Sequence, residues 1–332
     1  MKMKKTIATI LLLSLVFVIM FIMVGCGNSD NAPMTYEKAM TLLQQGKYED
    51  AYYGFLSLSR QGHNQAREML DDFLVVWEKN TLSDSSGFIR SWEYTYDSNG
   101  NEIGYVSTFQ NGEKETKNYT YDAKGNLTKV VYNYRNGTTD SEEYVYDANG
   151  NETQKISKDT SGKTSSQTNS YYDSNGKLTK KVTLKANGTK QTVVYSYNAD
   201  GKLAKESLTW SNNSTTTTTY TYNANGLLER KSIVASEGQT QQYTYTYDVK
   251  NNLIKEECKS GSKIITTTTY TYDEAGNNTK TVYDKSGSIT VYNYTYDSNG
   301  NVIKSEYTGS NGSVNTNMYE GYRVFYRPDK NN

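Results

Sequence analysis

The stretch YTYDSNGN runs from Tyr94 to Asn101 and returns unchanged from Tyr294 to Asn301. Between the two lie YTYDAKGN at Tyr119, YVYDANGN at Tyr144, SYYDSNGK at Ser170, YSYNADGK at Tyr195, YTYNANGL at Tyr220, YTYDVKNN at Tyr245 and YTYDEAGN at Tyr270. Nine copies at spacings of 24 to 26 residues form a ruler, and a fixed period of this length governs the fold before any single residue does.

Each copy carries its own turn chemistry. Asp or Asn at the first turn position caps the turn, and Gly at the fourth accepts left-handed backbone. The pairs Asp97/Gly100, Asp122/Gly125, Asp147/Gly150, Asp173/Gly176, Asp273/Gly276 and Asp297/Gly300 follow this rule. Asn198 and Asn223 replace Asp in two copies, and Asn251 replaces Gly after Asp248. A type I turn closed by a glycine bulge is a standard hairpin connection. A second turn signal halfway through each period (QNGE at Gln110, KANG at Lys185, DKSG at Asp284) makes each period two strands and two turns.

The hairpin register sets the Tyr before each turn opposite the second residue after the Gly, so that Tyr121, Tyr172, Tyr197, Tyr222 and Tyr247 face Leu and Tyr296 faces Val. Counting on along the same face sets the outer aromatic against Lys129, Lys180, Lys205, Arg230, Lys255, Lys280 or Lys304, with Lys stems covering rings. Thr95, Thr120, Thr221, Thr246, Thr271 and Thr295 point to the other, wet face. The outer aromatics Tyr94, Tyr119, Tyr144, Tyr195, Tyr220, Tyr245, Tyr270 and Tyr294 form the candidate ligand face, because a Tyr ring attracts sugar rings and quaternary ammonium groups. Some eighteen strands exceed what an open twisted sheet carries before curling. The expectation is mainly β: an elongated, coiled antiparallel hairpin array, solenoid-like, over residues 83–322, with a small helical module before it and a tail at 323–332.

The period, the paired turns and the Y-D-x-x-G core resemble the Rhs/YD repeats of bacterial surface and toxin proteins. The resemblance implies a repeat type more than a function. Large members form a shell around a C-terminal toxin domain, whereas only 32 residues follow Gly300 here, which implies no cargo and no closed shell. The aromatic, Asp, Asn-Gly hairpin also resembles choline-binding and glucan-binding cell-wall repeats, although their period is nearer 20 and their cages use Trp; Trp92 and Trp210 are the only Trp in this array.

The chain has 332 residues, 32 of them Tyr and only two Pro, a composition suited to long paired strands whose faces are covered by neighbouring repeats. At the start, MKMKK precedes an uncharged apolar run that fits a signal peptide or a membrane anchor. MVGC, Met23 to Cys26, resembles the lipobox of bacterial lipoproteins, which implies cleavage after residue 25, diacylglycerol on Cys26 and an extracytoplasmic, surface-exposed location. Loss of Lys2, Lys4 and Lys5 leaves 33 basic against 36 acidic residues, so nucleic acid is not an expected partner. Cys258 then has no partner for a disulfide.

Residues 26–34 read as a linker and 35–80 as a helical module: two helices broken near Gly46 and a third over Asn64 to Lys79. Gly46, Tyr48, Ala51 and Phe55 resemble the packing positions of a tetratricopeptide repeat, but little more than one repeat is present. Catalysis is not expected, because His63 is the single His and no Ser-His-Asp or Cys-His site can be assembled. The DSNGN loops place Gly at the fourth position rather than the sixth of a calcium loop, and neither metal nor cofactor is expected. The functional expectation is a non-catalytic surface lipoprotein, held to the membrane by its lipid, whose Tyr face binds a surface protein or a cell-wall polysaccharide; a purely structural stalk is the alternative.

Overall fold

The computed structural model describes residues 33–298 and 300–327; Cys26 and the signal segment lie outside them. Three helices, α1 (Tyr36–Gln44), α2 (Tyr48–Arg60) and α3 (Asn64–Leu70), lead into twenty antiparallel strands. The first strand is β1 (Phe73–Asp84) and the last β20 (Val314–Tyr326); most of those between are seven to nine residues long. Each strand pairs with the next in sequence, from β1 with β2 (Ile89–Tyr96) to β19 (Val302–Thr308) with β20. The ring is then closed by β1 against β20, with eleven partners from Phe73↔Tyr326 to Asp84↔Asn315.

This closure corrects the open coil and solenoid, and with it the absence of a closed shell. Its physical origin is in the turns. Every Asp-turn hairpin has the expected backbone bonds: in the third copy the Asp147 amide donates to the Asn151 carbonyl (2.9 Å) and the Gly150 amide to the Asp147 carbonyl (3.1 Å). The Asp147 carboxylate accepts from the amides of Asn149 and Asn151. Just before each turn the register also slips by one residue. Tyr121 pairs with Leu127, but Thr120 pairs with Lys129, and the same break recurs in all nine hairpins from Thr95/Tyr96 to Thr295/Tyr296. A bulge bends its strand and increases twist, so nine identical bulges curl the sheet in one sense until its ends meet. Closure also removes the edges that an open array would leave unpaired.

The bulge corrects the lysine face too. Lys129, Lys180, Lys205, Arg230, Lys255, Lys280 and Lys304 oppose Thr120, Tyr171, Ser196, Thr221, Thr246, Thr271 and Thr295, not the outer aromatics. The predicted Leu and Val partners of the pre-turn Tyr residues are those observed.

The third helix ends at Leu70, short of the expected Lys79, and FLVVWEKNTLSD is the closing strand instead. Helix packing is concentrated on Ala39, Leu43, Ala51, Phe55, Leu58 and Ala66, with Phe73 and Tyr326 from the ends of β1 and β20 against this cluster. Phe73 shares its strand face with Trp77, and Tyr326 with Tyr322, so the helices stand on the inner side of the seam, over part of one mouth. His63 caps α3 by accepting from the Ala66 amide through Nδ1 (3.2 Å) and stacks on Tyr36 at 5.0 Å.

Between β20 and β1 no Asp turn is possible, because the chain enters and leaves there. The helices occupy that gap: the Asn301 side chain donates to the Tyr53 hydroxyl (2.7 Å), and Arg327 donates to the Gly100 carbonyl on the other side. A Cβ at Gly100 (φ +70°) would lie 2.5 Å from the Phe325 ring, whereas one at Gly112 (φ +82°) would meet nothing. Gly112→Ala is therefore expected to cost about 1–2 kcal/mol for left-handed backbone, and Gly100→Ala about 1–3 kcal/mol more for overpacking. Urea unfolding of the two variants checks this; equal losses would show that the seam does not press on the β2–β3 turn.

A tyrosine-lined lumen as the candidate site

Within each motif the residue between the two Tyr residues is exposed, while both Tyr residues are half-buried; Thr95, Val145, Ser196 and Thr271 are examples. On a closed cylinder side chains converge inside and diverge outside, so the Tyr face is the inner wall and the Thr/Lys face the outer one. Twenty strands at about 4.8 Å spacing and the usual barrel tilt set opposite backbones about 40 Å apart. Inner-wall residues such as Tyr94, Tyr119, Tyr144 and Tyr220 keep part of their surface accessible, as on the wall of an open interior.

The Tyr residues form two rings at the helix-bearing end. In the first, each pre-turn Tyr donates its hydroxyl to the carbonyl of the residue that follows the previous turn: Tyr96 to Trp77, Tyr121 to Glu102, Tyr146 to Leu127, Tyr172 to Glu152 and Tyr197 to Leu178. Tyr222, Tyr247, Tyr272, Tyr296 and Tyr322 continue it onto Leu203, Leu228, Leu253, Asn278 and Val302. These ten bonds step from hairpin to hairpin around the whole circumference, and each contributes about 0.5–1.5 kcal/mol. The first ring is a girdle: its hydroxyls are committed to backbone.

The second ring holds the predicted ligand face. Tyr94, Tyr119, Tyr144, Tyr195, Tyr220, Tyr245, Tyr270 and Tyr294 all lie half-buried on the inner wall, spread around it rather than gathered in one place; Ser170 takes the remaining motif position. Their cross-strand partners are Tyr105, Val130, Lys155, Glu206, Lys231, Glu256, Thr281 and Ser305. Charge thus lies between the rings. The Lys155 amine sits 2.7 Å from Glu142, which also accepts from Tyr144 (2.6 Å), and Tyr220 donates to Glu206 (2.9 Å). Lys117 lies over the rings of Tyr119 (4.9 Å) and Tyr132 (4.7 Å). Burial raises the hydroxyl pKa of Tyr144 and Tyr220, and the neighbouring carboxylates raise it further. Burial likewise raises the Glu102 carboxyl, against the opposing effects of Tyr119 and Lys117.

The inward charges Lys155, Glu206, Lys231 and Glu256 are hidden from any sequence reading that leaves the bulge out. Glu206, Lys231 and Glu256 each lie one residue beyond a position assigned to the Tyr face.

The Asp-turn residues form the expected turns and shape the mouth. Asp97, Gly100, Asp122, Gly125, Asp147, Gly150, Asp173, Gly176, Asp273, Gly276, Asp297 and Gly300 are confined to one rim, away from the wall that carries the second ring. Gly125 (φ +82°), Gly176 (φ +76°) and Gly276 (φ +87°) do hold the left-handed backbone that the sequence predicts. Nothing is packed on them, however. A Cβ at Gly125 or Gly276 would meet no other atom, and one at Gly176 would reach only the Asn151 Oδ1 at 3.9 Å. The requirement at these three positions is therefore conformational, with no close approach of another described segment. The Asp carboxylates are occupied in the same way, since Asp122, Asp173 and Asp273 accept from amides of their own turns.

No family model and no curated protein matches the chain. Among solved structures it is similar to a porin-like protein from Bacteroides uniformis (17% identity, 73% of this chain and 95% of that one, TM-score 0.35). A porin-like protein from Bacteroides vulgatus is similar at 12% identity over 76% and 98%, with TM-score 0.31. At these scores the likeness carries neither fold nor role. The outer wall carries its own information. A lipid-facing barrel wall shows a continuous apolar band, whereas this one presents Thr, Lys129, Lys180, Lys205, Arg230 and Lys255, with ion pairs such as Lys158–Glu143 (2.7 Å) and Lys304–Glu306 (2.8 Å).

Proposed function

We propose that the chain is a non-catalytic, extracytoplasmic binding protein, lipid-anchored through Cys26, whose lumen takes a cell-surface glycan polymer. The observation that carries this reading is the second Tyr ring: aromatic faces on the wall of an open interior, interleaved with Lys and carboxylate groups able to bond hydroxyls. Rings offer apolar faces to sugars and their hydroxyls supply polar edges. Many equivalent weak sites around one wall give avidity on a polymer without a single strong site. The polar outer wall fits a barrel standing in water beside the membrane rather than within it, tethered through residues 26–34. The Rhs/YD resemblance fits the closed ring, and the tetratricopeptide-like helices serve in this reading as a partial cap.

A structural reading has one specific observation behind it, the girdle of first-ring hydroxyls bonded to backbone. The two rings can be separated by experiment. Changing Tyr220, Tyr245 and Tyr270 together to Ser leaves the girdle intact, and retention on purified peptidoglycan, immobilised α-glucan or choline resin is expected to fall while the strand signal in circular dichroism persists. If the unaltered protein is retained on none of them, the barrel is a structural stalk. For the anchor, Cys26→Ala is expected to abolish lipid labelling; a variant still labelled would refute it.

A further inference from the structure

On the inner side of the helix-bearing mouth, beside the seam, lies a cavity of about 440 Å³ bounded by Trp77, Tyr94, Tyr96, Tyr121, Glu102 and Arg327. Its size falls within the usual range of small-ligand sites, about 300–1,000 Å³. In the regular repeats the residue that receives a girdle hydroxyl is Leu, Glu, Asn or Val; only at the seam is it Trp77. Arg327 likewise enters only there, where the chain end replaces an Asp turn.

Two buried polar atoms of this cavity have no partner: Glu102 Oε1, an acceptor, and Arg327 Nε, a donor. The rest of both groups is engaged, Glu102 by the Tyr119 hydroxyl and Arg327 by the Gly100 carbonyl. An unmet buried donor or acceptor costs free energy; neither atom exposes surface, so a ligand recovers that cost by turning the Glu102 and Arg327 side chains toward itself. A larger cleft of about 560 Å³ between the turns at Asn198 and Asn223 offers no such incentive: none of its lining residues has an orphaned buried atom, and Lys202 already lies on the Gly226 carbonyl at 2.5 Å.

One free acceptor and one free donor, on groups of opposite charge, select a neutral ligand bearing groups that both give and take hydrogen bonds. A cation meets Arg327 and an anion meets Glu102. The surrounding rings select a ligand with a flat apolar face. We propose that the seam cavity is a discrete subsite for one neutral sugar ring, held between the Trp77 and Tyr faces with its hydroxyls on Glu102 Oε1 and Arg327 Nε. This deepens the glycan reading of the lumen and rests on it, adding a single site of defined stoichiometry to a wall of repeated weak ones.

The test is calorimetric titration of the intact chain with maltotriose, cellotriose and chitotriose, with choline chloride as the ionic control. At least one trisaccharide is expected to bind one per chain. Affinity is expected to fall about tenfold or more in Glu102→Gln and in Trp77→Leu. The variant altered at Tyr220, Tyr245 and Tyr270 is expected to keep it. The proposal is overturned if no trisaccharide binds, if both seam variants bind as well as the parent with their strand signal intact, or if choline binds in place of sugar. Polymer retention without trisaccharide binding removes the seam subsite and spares the lumen; trisaccharide binding without polymer retention does the reverse.

Discussion

A chain ending at Gly309 is expected to lose the barrel, not merely one strand of it. Removing β20 deletes the strand that pairs with both β19 and β1, leaving two open edges. It also takes Tyr322 from the girdle, Tyr326 from the cluster that seats the helices, and Phe325 and Arg327 from their contacts with the β2–β3 turn at Gly100. Open edges template pairing with other chains, so size-exclusion chromatography should show oligomers and the thermal transition should broaden. Excision of residues 198–222, one complete period, is the informative contrast. It joins Tyr197 directly to the turn at Asn223, preserves the hairpin register and removes two strands together, so a smaller ring can still close. The excised protein is expected to remain monomeric with a cooperative melt. If the truncated chain is equally monomeric and cooperative, the seam does not hold the ring together.

The contrast also shows which features of the fold are legible in the sequence. The period, the Asp-x-x-Gly turns and the Leu partners of the pre-turn Tyr residues are local, each fixed within one hairpin, and spacing alone reveals them. Closure is not local: it depends on β1 meeting β20 from opposite ends of the array. Its first half, FLVVWEKNTLSD, follows helix α3 after only Asp71 and Asp72, with no Gly or Pro to mark a break, so it reads as a continuation of that helix. Val75, Val76 and Trp77 are the available signal against this, since β-branched and aromatic residues favour strands. Its second half is hidden in YEGYRVFY, where Tyr322 occupies the tenth girdle position without an Asp turn after it. The site is legible to the same depth. The outer Tyr residues line one face as expected, but a register slip of one residue decides which charges join them. Lys129 and its counterparts point outward, and Lys155, Glu206, Lys231 and Glu256 point in. Exposure along a flat strand and exposure inside a cylinder cannot be told apart from sequence, because curvature is a property of the whole ring.

The same curvature makes the protein sensitive to alkali. Burial inside the wall, followed by the charge of Glu102, raises the hydroxyl pKa of Tyr94 and Tyr119 and pushes Tyr96 up to about 12. Burial with Glu256 pushes Tyr245 up to about 12 as well, and burial raises Tyr121, Tyr146, Tyr247 and Tyr272. Between the unfolded value near 10 and these raised values the folded chain binds more protons than the unfolded one, so stability falls as pH rises. The contribution is whole below about pH 10 and is lost through about pH 12. Ionisation of Tyr96 or Tyr121 also removes a hydroxyl donor from the girdle, and the members around the ring fail together. A steep transition is therefore expected in that window. Circular dichroism and tyrosinate absorbance, followed from pH 8 upward, should change in concert and above the pH at which free tyrosine ionises. Tyrosines that titrate near 10 while the strand signal stays intact would mean that the wall does not bury them and that the girdle does not help to hold the ring.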